Sequence, residues 1–191
     1  YYYGGLDGIY QQHLVNLVHQ LPLGEGQSFK SDIRYARSSD DGGSNVDNDA
    51  FGALFTYRLG GHGFTAGYQH LSGDTGFAYI AGSDNALVNL VQINDFGNQD
   101  ERSWQLRYDF DFASVGVPGL TFMTRYVRGD QVDLAVGEGR EWERNTDIAY
   151  AFVEGPLKNL KVTWRNATYR SSFVRDLDEN RLILSYIVPL W

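Results

Sequence analysis

No cysteine occurs in the 191 residues, so neither a disulfide framework nor a thiolate metal site can be built. No stretch approaches the run of about 18 apolar residues that a membrane-spanning helix requires, so spanning helices are excluded. Proline is scarce at 4, whereas glycine reaches 22 and Phe, Trp and Tyr together make up 15%. That mixture favours strands and tight turns over helices. The net charge of -8 argues against a nucleic-acid binder. The opening YYYGGLDG is neither a signal peptide nor a methionine start, which reads as a mature, processed or fragmentary chain.

Catalytic chemistry has little to stand on. His13, His19, His62 and His70 are scattered and lack the HExxH spacing of a zinc hydrolase. A hydrolase pair of His19 with Ser31 across neighbouring strands is the one arrangement the residues permit. A lone His near a strand end more commonly serves as an interfacial polar group, so no catalytic residue, cofactor or metal site is assigned. The paired glycines at 4, 42 and 60 are turn residues, without the strand-to-helix context of a phosphate cradle.

What is present is alternation. Nine segments with period-2 patterning run over 9–22, 28–38, 50–59, 63–72, 102–112, 119–128, 141–153, 158–170 and 180–191. They match the roughly 9 to 11 residues of a tilted membrane strand rather than the soluble mode of about 5 to 6. The connections alternate too. LGEGQ, GGHG, SVGVPG and EGPLKN are compact turns, whereas SSDDGGSNVDND, GDQVDLAVGEGR and the stretch from Gly73 to Glu101 are long. Short turns on one rim and long loops on the other is the layout of outer-membrane barrels.

The faces separate cleanly. SWQLRYDFDF puts Trp104, Leu106, Tyr108, Phe110 and Phe112 on one side and Ser103, Gln105, Arg107, Asp109 and Asp111 on the other. Arg37, Arg128, Arg144 and Arg170 share the apolar parity only near the long-loop ends, where a side chain can snorkel to headgroups. The terminal LILSYIVPLW sets Leu182, Leu184, Tyr186, Val188 and Leu190 toward lipid, with a bulge near Pro189 turning Trp191 into the interfacial aromatic girdle. A soluble β-sandwich binding module shows the same alternation, but it needs a second layer over its large apolar face. Lipid needs none, and the pattern favours a transmembrane antiparallel β-barrel, all-β, over the sandwich. A barrel hydrolase is the remaining alternative.

By parity the lumen face collects Lys30, Arg34, Arg58, Arg107, Arg125, Lys161, Arg165 and Arg181 against Asp32, Asp109, Asp111, Glu143 and Asp147. Rows of Arg and Lys in a pore attract anions and pass them between shallow sites, while facing acids keep any one site from trapping them. The competing reading is that these groups pair across strands and stiffen the wall. Most acids fall in the long loops, where a solvated rim could also bind divalent cations weakly and bridge to lipopolysaccharide phosphates.

The stretches LVNLVQINDF, ERSWQLRYDFDF, VGVPGLTFMTRYVRGD and NRLILSYIVPLW resemble the OprD-type outer-membrane porins, the substrate-specific channels of Pseudomonas and relatives. The resemblance implies an eighteen-stranded barrel of which residues 1–191 are the C-terminal half, one domain, in the outer membrane of a Gram-negative cell. It implies partners as well: small anionic or zwitterionic solutes, membrane lipid and lipopolysaccharide, and the barrel-assembly machinery, with a monomer or weak trimer as the assembly. It further implies a basic ladder for carboxylates, with Lys161, Arg165 and Arg181 first and Arg107, Lys30 and Arg34 next. In the family a long loop folds inward, which would make Asp74, Asp95 and Tyr79 neighbours of the constriction. A loop packed on the outer mouth is the alternative for each.

Overall fold

A computed structural model describes residues 1–80 and 86–188. Its strands form one antiparallel sheet in strict chain order. They are β1 (Tyr2–Leu6), β2 (Tyr10–Gly24), β3 (Gln27–Asp40), β4 (Asp47–Leu59), β5 (His62–Ser72), β6 (Arg102–Asp111), β7 (Leu120–Asp133), β8 (Glu138–Ala151), β9 (Leu160–Ser171) and β10 (Leu177–Tyr186). The nine expected segments are β2 to β10. β1 is an addition: YYGGL is short and glycine-rich, and only its pairing with Tyr10–Leu14 reveals it as a strand. A single 3-10 turn, Phe112–Val115, is capped by the Asp111 carboxylate, which accepts from the Ala113 N–H.

Several strands run further toward the long loops than alternation predicts. β3 reaches Asp40, β4 starts at Asp47 and β7 continues to Asp133. These extensions are polar, so hydrophobic periodicity is silent there, yet their ladders persist: Arg37 pairs with Asp49, Ser38 with Asn48 and Ser39 with Asp47. Arg37 also bridges Asp47 and Asp49 at 2.5 and 2.6 Å. The last expected segment, 180–191, is observed over Leu177–Tyr186, and Pro189, Leu190 and Trp191 lie outside the described residues.

The two faces divide as expected. Leu106 is 58% exposed and Leu182 71%, whereas Ser103 and Gln105 are buried. No second layer covers the Trp104, Leu106, Tyr108 and Phe110 side among the described residues, which removes the sandwich. His19 and Ser31 are register partners, but no side-chain hydrogen bond joins them.

Strand tilt can be read from the register. Phe29, Tyr57, Phe64, Tyr108, Thr124, Thr146, Asn166 and Asn180 are successive partners across β3 to β10. Phe29 stands three residues from Gly26 in its short turn, whereas Asn166 stands seven from Asn159 in its own. The row therefore climbs from the short-turn rim toward the long-loop rim, as it must where barrel strands are tilted. Its side chains change from aromatic to polar on the way, and Arg144 follows the same rule one row higher, between Tyr126 and Thr168.

The tightest apolar packing lies on the polar face, between the sheet and its own long loop. Ala36, Ala50 and Leu71 from the sheet meet Ala86 and Leu87 from the loop, with Leu14 and Phe77 at the margin. This cluster presses the loop onto the wall near the long-loop rim, so the loop lies against the polar face of the sheet.

Candidate channel lining and constriction

The loop after β5 is bonded to the lumen face at many points. Gln69 on β5 donates to the carbonyls of Asp95 and Phe96 at 3.2 and 2.7 Å and accepts from the Asn89 N–H at 2.9 Å. Gln105 on β6 donates to the Val88 carbonyl at 3.0 Å and to Asn89 Oδ1 at 2.8 Å. Asn89 donates to Ser103 at 2.7 Å. Gln69, Asn89, Ser103 and Gln105 are all buried, and buried amides without partners are costly, so the network specifies one seat for the loop. Small residues make room: a Cβ on Gly52 would lie 2.8 Å from Val88 Cγ1.

Carboxylates hold the next part of the loop. Glu143 on β8 accepts the backbone N–H groups of Gln92, Ile93 and Asn94 at 3.2, 3.1 and 2.9 Å. Glu141 accepts from Asn94 and Asn98 side chains at 2.5 and 3.1 Å, and from the Tyr169 hydroxyl. Glu179 on β10 accepts from Gln92 at 2.7 Å. Glu101, at the loop's end, is buried and takes two hydrogen bonds from Asn98. Burial, and then the like charge of Glu141, hold the Glu101 carboxyl well above the usual carboxylate range.

Below the loop the wall is basic. Arg107 and Arg125 are cross-strand partners on β6 and β7, and Arg165 and Arg181 are partners on β9 and β10. Arg107, Arg165 and Lys161 line one cavity of about 510 Å³, together with Arg58 and Asp147. A smaller space of about 250 Å³ lies directly beneath the loop tip, bounded by Leu90, Val91 and Gln92 above and by Arg107, Arg125 and Arg165 below. Most of these guanidinium groups are held by an acid: Arg107 by Asp109 at 2.6 Å, Arg165 by Asp147 at 2.7 Å, Arg34 by Asp32 at 2.9 Å and Arg181 by Glu179 at 2.6 Å. They keep 26 to 47% of their side-chain surface exposed, so pairing orients them without hiding them.

Of the six residues selected from sequence, Lys161, Arg165 and Arg107 are brought together. Arg181 lies beside Arg165, while Lys30 and Arg34 stand on β3, separated from β6 by two strands. The loop residues divide as well. The Tyr79 hydroxyl donates to Asp95, and burial followed by that carboxylate raises the Tyr79 pKa. Tyr79 also accepts from the Tyr10 hydroxyl, which ties this part of the loop to β2. Asp74 is exposed at the loop's start and apart from them. The loop residues that share a cavity with the arginines are Leu90, Val91 and Gln92.

A sheet with an apolar face, an opposite face that carries arginines and a loop bonded to that polar face coincides with a match of residues 1–190 to the family described as outer membrane porin, OprD family. The chain belongs to the OprD family. It is 37% identical to a Pseudomonas putida protein named porin-like protein GalP over 99% of this chain and 46% of that one. It is 36% identical to Porin D of Pseudomonas aeruginosa, covering 95% of this chain and 47% of the other. Among solved structures, Pseudomonas aeruginosa OpdQ superposes with a TM-score of 0.95 at 65% identity, and OccK3 (OpdO) with 0.93 at 62%. Each superposition covers 99% of this chain and 52% of the other. The chain therefore spans about half the length of the relatives it matches. As a member of this family it is an outer-membrane protein, and the relatives it matches are porins rather than enzymes.

Sequence reading of this OprD-family chain left several groups out. Alternation puts Arg125 among the lumen cations without placing it in the ladder, and nothing in the pattern points to Gln69, Asn89, Glu101 or Glu141. A signal for the loop's seat was nonetheless present. Ala36, Ala50, Gly52, Gly67 and Gly129 all carry lumen parity, and such small residues on adjacent strands mark a wall that something packs against.

Proposed function

We propose that the complete barrel containing this chain passes small carboxylate-bearing solutes, amino acids or aromatic acids, by facilitated diffusion. Lys161, Arg165 and Arg181 form the main basic track, followed by Arg107, Lys30 and Arg34, and Arg125 joins it under the loop. Asp74, Asp95 and Tyr79 belong to the constricting loop and its approaches. The reading rests chiefly on one observation: Arg107, Arg165 and Lys161 line a single cavity on the lumen face. A guanidinium fork held by an acid on one side still offers donors on the other, so a carboxylate can be taken up and released without a deep well. The acids Asp109 and Asp147 keep each site shallow.

The test is uptake by the complete porin in proteoliposomes. Replacing Lys161 and Arg165 together by Gln lowers uptake of an anionic solute severalfold, and that of a neutral solute of equal size much less. Equal loss for both solutes would remove the ladder assignment.

A further inference from the structure

We infer that Glu143 is the positioning residue that sets the aperture of this channel, by acting as the fixed anion on which the tip of the long loop is wound. The inference rests on the porin reading, and deepens it by naming what holds the constriction at its width.

Three successive backbone N–H groups, of Gln92, Ile93 and Asn94, converge on one carboxylate, at 3.2 and 3.1 Å on Oε1 and 3.3 and 2.9 Å on Oε2. Consecutive amides aimed at one point form an anion-binding nest, the arrangement that elsewhere cradles phosphates. Here the anion comes from the protein's own wall. A fourth donor, Asn145 Nδ2, reaches Oε1 at 2.6 Å from the same strand and fixes the carboxylate. Glu143 is fully buried, so it is not available to a solute. Its partners in register, Val127 and Tyr169, carry no charge, so its charge is met by the loop amides and by the nearby guanidinium of Arg125.

The geometry explains why this group, among many loop contacts, controls the opening. The segment that faces Arg107, Arg125 and Arg165 is Leu90 to Gln92, which runs into the nest at Gln92. The amide network of Gln69, Asn89 and Gln105 holds residues 88, 89, 95 and 96, on either side of the tip. Among the described residues the nest alone bonds the backbone of the turn to the wall; the Gln92 and Asn94 side chains add bonds to Glu179 and Glu141, and the turn is closed by a bond from Val91 N–H to the Asn94 carbonyl at 2.9 Å. A glutamine at 143 would fit in shape, but its NH2 would confront amide donors, and the charge that strengthens every bond of the nest would be gone.

The experiment uses the complete porin and two variants that break the nest from opposite sides. Glu143→Gln removes the anion from the wall, and Ile93→Pro removes one donor from the loop while leaving the wall intact. Hydrogen exchange of the peptide containing Gln92 to Asn94 should speed up at least about tenfold in either variant, with strand peptides unchanged. Single-channel conductance in planar bilayers should rise, with added open-channel noise. The double variant should fall short of the sum of the two single effects, because both act on the same nest. Glu143→Asp, which keeps the charge, should restore part of the protection. Unchanged exchange in both variants, or effects that add in the double variant, would overturn the inference. If Glu143→Gln does not assemble, Ile93→Pro still decides the matter. A wild-type barrel that conducts nothing would count against the porin reading, while the exchange comparison would still report on the nest.

Discussion

The lumen wall has two storeys, and they use charge in opposite ways. In the upper one, Glu101, Glu141 and Glu143 are buried, and their oxygens are occupied by loop amides or lie in the packed interior. In the lower one, Arg107, Arg165 and Arg181 each lean on a single acid and keep a third or more of their side-chain surface open. Both storeys belong to one sheet, and their strand residues share one parity. Covering a wall charge with a loop turns it into architecture, and leaving it uncovered keeps its donors open, which is what the proposed solute track requires. The two storeys join at Glu179, which accepts from the loop's Gln92 and from Arg181.

That contrast can be broken most severely at Gly129. A Cβ there would lie 1.8 Å from Glu101 Oε1 and 2.9 Å from Phe96 Cδ1. Gly129→Ala must therefore push both groups out of the upper storey, at a cost of about 1–3 kcal/mol, measured as a lower midpoint of urea unfolding of the complete porin. The same variant should raise conductance, because the loop loses its seat.

The next largest effect concerns pH. The Glu101 carboxyl is raised in the folded protein, so below the ordinary glutamate range both states carry the proton and nothing is lost. As pH rises past that range the unfolded chain ionises while the folded one stays protonated, and stability falls until the folded carboxyl's own, higher range is reached. Glu101→Gln should flatten this dependence and raise the urea midpoint at pH 8 more than at pH 5. An unaltered pH slope would mean that Glu101 is ionised in place.

The smallest stability effect belongs to the lower storey. Arg165→Gln breaks a half-exposed pair with Asp147, which is worth no more than about 1 kcal/mol, so the urea midpoint should hardly move. Its effect should appear in anion uptake instead. A large loss of stability would assign Arg165 to the architecture.

Much of this was legible in the residues. Parity alone sorted Trp104 and Leu106 from Ser103 and Gln105, because a half-lipid, half-aqueous strand must alternate. It stopped short of Ser39 and Asp40 and of Gly129 to Asp133, where the ladders continue beyond the apolar band of the outer face. It also missed β1, whose glycines carry no side-chain pattern. The inward fold of the loop came from family resemblance. Parity tells which face Glu143 occupies, but not that residues 92 to 94, about fifty positions away in the chain, will wrap around it.

The most direct test of the two-storey wall is a planar-bilayer comparison of the complete porin carrying either Glu143→Gln or the Lys161→Gln, Arg165→Gln pair. The first should raise conductance for anions and cations alike and leave their permeability ratio nearly unchanged. The second should shift the ratio away from anions with little change of conductance in high salt. If both variants move the same quantity in the same proportion, the division between a fixed upper storey and a presenting lower one is contradicted.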